Sequence, residues 1–314
     1  MIFKSIYIYM FRIAIPTYKR YEGLKKTLNT LERNNIDKSI IDIFVNNIEE
    51  LEIYKPLYED YNLIVGETGM KEIREFIFNY YKEDDWVFCL DDDITDFKIS
   101  KNNKLELCED LTAEILYGFS ECLVNNTILF GLAPTSNPFF MKETASTHLQ
   151  FCGGWSFGVI IPKDRYVLKL NVSQYEDYER TIKIYKKYGS VVRLNYLTAM
   201  TKYCKKDSGG MNVNLDERKS IMERDLFILA KLYEDYLFVK QKKSALNGLN
   251  PQLKSRINKF ISIMKNCSVK WLRTDGIPKG AVSEMWNMCF EYGYNNNYDF
   301  FLQCGDDVDF VPSK

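Results

Sequence analysis

The chain has 314 residues, 46% hydrophobic and 15% aromatic, with 42 basic and 43 acidic side chains for a formal net charge of −1. This composition can build a substantial core and excludes a disordered chain. The balanced charge excludes a globally basic nucleic-acid binder, so any contact with DNA needs a local basic patch.

The eight cysteines form no CxxC pair and no metal-ligand spacing, and several lie inside apolar runs. That pattern predicts reduced core thiols and an intracellular, reducing compartment, cytoplasmic or nuclear. The opening "MIFKSIYIYMFRIAIPTY" is apolar but is interrupted by Lys4 and Arg12, so it reads as neither a membrane span nor a signal peptide. No membrane partner is expected.

The elements follow in order. "FRIAIP" reads as a first strand, and "GLKKTLNTLERN" as a helix with Leu24, Leu28 and Leu31 on one face. "SIIDIFVNN" is a second strand ending at Asn46 and Asn47, and "NLIVG" a third ending at Gly66. "MKEIREFIFNYY" places Ile73, Phe76, Ile77 and Tyr80 at helical spacing, and "WVFCL" is the fourth strand. Strands alternating with helices or long crossovers predict an α/β fold, a mostly parallel Rossmann-type sheet flanked by helices. Ligands of such sheets bind beyond the carboxyl ends of the strands. Pro16–Thr17, Asn46–Asn47, Gly66–Glu67 and Asp91–Asp93 all fall there.

The fourth strand runs straight into Asp91, Asp92 and Asp93. Three adjacent carboxylates repel, and burying them without a partner is costly, so a cation is expected beside them. Strand alternation turns Asp91 and Asp93 to one side. Asp92 then points away, toward a bound sugar or solvent. A plain polar strand terminus is the alternative.

Further along, "FCGGWSFG" packs glycines around Trp155, a residue for stacking or for the core. His148 is the sole histidine, a structural residue or a late metal ligand. In "NVSQYEDYERTIKIYKKYG", Ser173 and Glu176 fit an S-x-x-E capping box, with Tyr175, Tyr178, Ile182 and Tyr185 as the buried stripe. Glu176 then has a structural task and Asp177 has none. "TKYCKKDSGGM" joins Lys202, Lys205 and Lys206 to Gly209–Gly210, a basic loop for a diphosphate or a DNA backbone, or a solvated surface loop. Near the end, "NYDFFLQCGDDVDF" repeats an apolar strand running into acids.

The phrases "AIPTYKRYEGLKKTLNTL", "DIFVNN", "VFCLDDDI", "TSNPFFMK", "YEDYERTIKIYKKYGSVVRLN" and "TKYCKKDSGGM" occur in an order that resembles the TET-associated glycosyltransferases, a GT-A type family related to the base J glucosyltransferase. The resemblance covers residues 11 to about 245. It implies a GT-A-like domain over 1–255. The tail, 256–314, resembles the start of a second such domain, as a remnant or as part of a two-domain protein. It also implies transfer from a nucleotide sugar, a UDP-sugar above all, to a hydroxymethyl-pyrimidine in DNA, and a virus-encoded origin fits the family.

Such a donor leaves as a diphosphate, and Mn²⁺ or Mg²⁺ on hard oxygen ligands would stabilise the charge that builds there. Asp93 is the expected metal ligand, with Asp91 beside it or on the ribose. Thr17, Tyr18, Arg20, Asn46, Arg74, Asp91 and Asp92 are expected around the donor, with Arg74 forking onto phosphate or sugar. By analogy with GT-A enzymes, Asp177 is the expected general base. The helix dipole alone predicts a low pKa for it, which burial would have to offset. Three other functions remain open: transfer to a glycan or protein, a phosphatase reading "DDDIT" as D-x-D-x-T, and a binding module without turnover. Sugar, stereochemistry and oligomeric state are left open.

Overall fold

Residues 12–90 fold in the order that their alternating apolar runs and amphipathic segments dictate. The computed structural model describes residues 11–201, 215–241 and 248–254. Strand β1 (Arg12–Pro16) leads through α1 (Tyr21–Arg33) to β2 (Ile41–Val45). A short helix, α2 (Ile48–Tyr54), connects β2 to β3 (Asn62–Val65), and α3 (Met70–Tyr80) leads on to β4 (Trp86–Leu90). The leucine stripe of α1 is buried as expected, with Leu24, Leu28 and Leu31 at 4% exposure or less. On α3 the buried face is Ile73, Arg74, Ile77 and Phe78, while Tyr80 of the expected stripe is exposed.

Beyond β4 the chain forms β5 (Ile94–Lys101), β6 (Lys104–Leu107), α4 (Leu111–Val124), β7 (Leu129–Leu132), β8 (Ala145–Ser146) and β9 (Ser156–Ile160). Then follow α5 (Glu176–Tyr188), β10 (Val192–Leu194), β11 (Leu197–Thr201), α6 (Leu215–Leu232), β12 (Leu237–Gln241) and β13 (Leu249–Leu253).

The main sheet has the order β3-β2-β1-β4-β9-β7-β10-β8. Strands β1 to β4 pair in parallel, β9 inserts antiparallel between β4 and β7, and β10 pairs in parallel with β7. The sheet is therefore mostly parallel, and helices flank it. The carboxyl ends of β1, β2, β3, β4, β7 and β10 share one edge with the amino end of β9. A second sheet, β11-β5-β6, and a ribbon of β12 with β13 complete the described chain.

The core lies between sheet and helices, with Ile13, Ile15, Ile43, Phe88, Phe130 and Phe157 fully buried. Gly118 of α4 and Gly158 of β9 make room for the Phe130 ring. A Cβ on Gly158 would lie 1.9 Å from that ring, and one on Gly118 2.6 Å. Cys89, Cys108, Cys122 and Cys152 are buried free thiols. No helix among the described residues is long and apolar enough to cross a membrane. The chain divides into two compact units, Met1–Leu253 and Lys254–Lys314. The acidic strand end at Asp306–Asp309 and the basic segment from Lys202 to Met211 lie outside the described residues.

Candidate active site

The acidic turn sits at the shared strand edge, and two arginines meet it. Asp92 is buried, at 4% exposure. It accepts from Thr17 Oγ1 at 2.8 Å and from Arg20 Nη1 at 2.7 Å. This corrects the expectation that Asp92 faces sugar or solvent. Its side chain does point away from its neighbours, but toward β1, and it ties the end of β4 to the loop after β1. Arg20 Nη2 reaches Asp93 Oδ2 at 3.0 Å, and Arg74 Nη2 reaches Asp91 Oδ1 at 2.8 Å. Part of the cation expected beside the three acids is thus guanidinium. Thr27 of α1 closes the turn from above, donating to Asp91 O at 3.2 Å and accepting from Ile94 N at 2.9 Å.

Burial pushes the Asp92 carboxyl up to about 7, against the opposing pull of Arg20. Burial also raises Asp91, with Arg74 opposing and Asp93 adding to the rise. The Asp91 side chain is 33% exposed, so solvent moderates that effect.

The helix bearing the candidate base does not start as a capping box. Helix α5 begins at Glu176, its N-cap is Tyr175 in the left-handed region at φ 61°, and no side chain caps it. Glu176 is instead part of a buried charge cluster. Its Oε2 accepts from Arg180 Nη1 at 2.5 Å, and its Oε1 lies 3.6 Å from Arg74 Nε. The buried face of α5 is Glu176, Glu179, Arg180, Thr181, Ile182 and Ile184, while Tyr175, Tyr178 and Tyr185 are half-buried. Of the expected stripe Ile182 is fully buried and Tyr175, Tyr178 and Tyr185 pack half-buried, while Glu176, Glu179 and Arg180 take buried positions that the stripe did not include. Glu179 supports the turn before the helix, accepting from Asn171 N at 2.7 Å and from Tyr233 Oη at 2.9 Å.

Asp177 joins the acidic turn through one peptide. Gly154 N donates to Asp177 Oδ2 at 3.1 Å, and Gly154 O accepts from the same Arg74 Nη2 that holds Asp91, at 2.8 Å. Asp91 N in turn donates to Trp155 O at 3.0 Å. Burial raises the Asp177 carboxyl well above its ordinary value, and the Glu176 charge adds to the rise. The low pKa expected from the helix dipole is therefore corrected: burial and a neighbouring carboxylate outweigh two backbone N–H donors. Half-buried Trp155, Phe151, Tyr178 and Tyr175 form a run of ring contacts that includes the neighbours of Gly154 and Asp177, with Phe151 and Tyr178 ring centroids 4.3 Å apart.

Arg74, at 1% exposure, is no surface arginine. Among the described residues its Nε and Nη1 find no hydrogen-bond partner, and Nε lies 3.6 Å from Glu176 Oε1. Thr17 is buried between Asp92 and Tyr54 Oη, which is 3.0 Å away, so it braces the site. Tyr18 is half-buried, with Lys19 Nζ 5.1 Å from its ring centre. The Asn46 backbone is bonded to Glu50, which also accepts from Lys19 N at 3.1 Å. His148 meets Gln150, with Nε2 to Nε2 at 2.8 Å.

Among the described residues, no three His, Cys, Asp or Glu side chains group as metal ligands. Asp91 Oδ2 and Asp93 Oδ1 each take no hydrogen bond from the described residues. Mg²⁺ and Mn²⁺ need one or two carboxylates when phosphate and water supply the rest. The donor set therefore fits a cation that arrives with a diphosphate, and does not fit a protein-only cage.

Sequence reasoning did not find Arg180 or Thr27, it marked Gly154 only within a glycine-rich stretch around Trp155, and it gave Glu176 the wrong task. The i,i+4 spacing of Glu176 and Arg180 is visible in the sequence, but it ordinarily marks a solvated pair.

No family model matches the chain, and no curated protein matches it. Solved structures do. Glucosyl-3-phosphoglycerate synthase from Mycobacterium tuberculosis, in complex with Mg²⁺ and uridine diphosphate, is similar at 9% identity, covering 78% of this chain and 86% of its own, with a TM-score of 0.43. The mannosyltransferase PcManGT from Pyrobaculum calidifontis, in complex with GDP-Man and Mn²⁺, is similar at 11% identity, 72% and 64% coverage and a TM-score of 0.43. The bifunctional IspDF from Campylobacter jejuni is similar at 9% identity, 64% and 52% coverage and a TM-score of 0.33. These are distant likenesses, and the chemistry of the site rests on this chain's own residues.

Proposed function

We propose that the chain is a metal-dependent glycosyltransferase that moves a sugar from a nucleotide sugar, a UDP-sugar in the first instance, to a hydroxyl acceptor. One observation carries the reading. A single hydrogen-bonded network, Asp91–Arg74–Gly154–Asp177, joins the strand-end carboxylates to the carboxylate at the start of α5. Two separate tasks then fall to two ends of one site.

At the strand end, Asp93 and Asp91 would hold Mn²⁺ or Mg²⁺ through the oxygens that Arg20 and Arg74 leave open. When bound, that cation supplies Lewis-acid stabilisation of the departing diphosphate. Arg74 offers its buried N–H groups to the same phosphate or to the sugar. Thr17 and Arg20 hold Asp92 and Asp93 in place, and Tyr18 and Asn46 belong to the outer wall of the nucleotide pocket. At the helix start, Asp177 takes the proton of the acceptor hydroxyl as its oxygen bonds to the sugar carbon and the bond to phosphate breaks. A carboxyl raised by burial suits this task better than one held low by a helix dipole.

The finer reading places the chain with the TET-associated glycosyltransferases and gives it a hydroxymethyl-pyrimidine in DNA as acceptor. It also assigns the transferase to residues 1–255. The ordered phrases of the sequence support it, and the aromatic run beside Gly154 and Asp177 suits a flat ring. The test is incubation of hydroxymethylated DNA with UDP-sugars and Mn²⁺, followed by mass spectrometry. Wild type should add a hexose. Asp177→Asn should lose about a hundred- to ten-thousand-fold in transfer rate, with donor affinity near wild type. Full transfer by that variant overturns the base assignment. Transfer to a glycan or protein, with none to DNA, overturns the acceptor alone.

A further inference from the structure

Glu176 and Arg180 stand one turn apart on α5 and are buried, at 5% and 0% exposure. Arg180 lies with its guanidinium carbon 3.7 Å from the centre of the Phe157 ring, and among the described residues its Nε and Nη2 have no hydrogen-bond partner. Unpaired buried donors are costly, so this guanidinium is kept at the expense of stability. The carboxylate it is bonded to, Glu176, also reaches toward Arg74. Gly154 is where these groups converge. A Cβ there would lie 2.7 Å from Glu176 Oε1 and 3.6 Å from Asp177 Oδ2. A side chain there would make the Glu176 carboxylate shift, while Asp177 would stay in ordinary contact with it.

We propose that Glu176 and Arg180 are positioning residues for Asp177, holding its carboxylate against the Gly154 amide and setting the charge it meets there. The inference rests on the reading of Asp177 as the base. Among the described residues, Glu176, Arg180, Tyr178 and Cys152 interact electrostatically with Asp177, and Arg74 is bonded to the other side of the Gly154 peptide. Of these, Glu176 disfavours the ionised form of Asp177 and Arg180 favours it. Removing one or the other therefore moves Asp177 in opposite directions. A pair that only filled space would give no such opposition.

The experiment is a titration of the full chain, ¹³C-labelled at its aspartate carboxyls, with the Asp177 resonance assigned by its loss in Asp177→Asn. Glu176→Gln should lower the Asp177 midpoint by about one pH unit, Arg180→Gln should raise it by about one, and Arg180→Lys should stay near wild type. Midpoints that stay put, or that move the same way, overturn the proposal. If Glu176→Gln does not fold by circular dichroism, Arg180→Gln against Arg180→Lys decides alone, and equal midpoints overturn it. Transfer retained by Asp177→Asn would sink the base reading. An Asp177-dependent transfer with unmoved midpoints would sink only the positioning role.

Discussion

Asp92 carries the clearest consequence at the scale of one residue. Its carboxyl rises from 3.8 to about 7 because burial disfavours its charge more than Arg20 and Thr17 restore it. A group raised in the folded state contributes stability that is fully present below its unfolded value and is lost as pH climbs through the folded one. The window thus runs from 3.8 to about 7. Asp92→Asn keeps the shape and removes the titration. Its advantage in melting temperature over wild type should grow across that window. A constant gap between the two chains at pH 3.8 and pH 7 would show that Asp92 ionises as freely in the folded chain as in the unfolded one.

At the scale of elements, the site depends on how closely β9 approaches its neighbours. Strand β9 lies antiparallel between β4 and β7, and its amino end delivers Gly154 and Trp155 to the edge where β4 delivers Asp91. Gly158 sets that approach, because the Phe130 ring occupies the space of its missing side chain. Gly158→Ala should cost about 1–3 kcal/mol of stability through overpacking. Urea denaturation checks this, and a cost near zero would mean that Phe130 moves aside freely. The buried Glu176–Arg180 pair joins α5 to the same region. Deleting one member of such a pair strands the other charge, which typically costs about 3–5 kcal/mol. Glu176→Gln is therefore no mild change, as a capping box would have made it.

For the whole molecule, the division of labour between protein and donor gives a further test. On the proposed reading Asp93 and Asp91 share the metal with the donor's phosphates, so metal is expected to bind together with the donor. A chelator should abolish UDP binding and leave the melting temperature of the free chain unchanged. Asp93→Asn should remove Mn²⁺-dependent UDP affinity in calorimetry while the chain still melts cooperatively. A melting temperature that falls on chelation would point to a structural metal instead.

The fold was legible where local pattern and tertiary demand agree. The leucine stripe of α1, the apolar runs of β1, β2 and β4, and the acids that follow β4 are signals of periodicity and burial that each segment carries by itself. They place Asp91, Asp92 and Asp93 at the ligand edge of a mostly parallel sheet. The partners of those acids were not legible. Thr17 and Arg20 come from the loop after β1 and Arg74 from α3, and a charged residue on a helix reads from sequence as a solvated one. The capping box failed for the same reason: S-x-x-E describes a local bond, but Glu176 makes a stronger one with Arg180 once both are buried. The sequence by itself determined which elements form and where the acids lie along them. Only the tertiary structure decided which cation meets which carboxylate, because the free energy of a buried charge is set by neighbours distant in the chain.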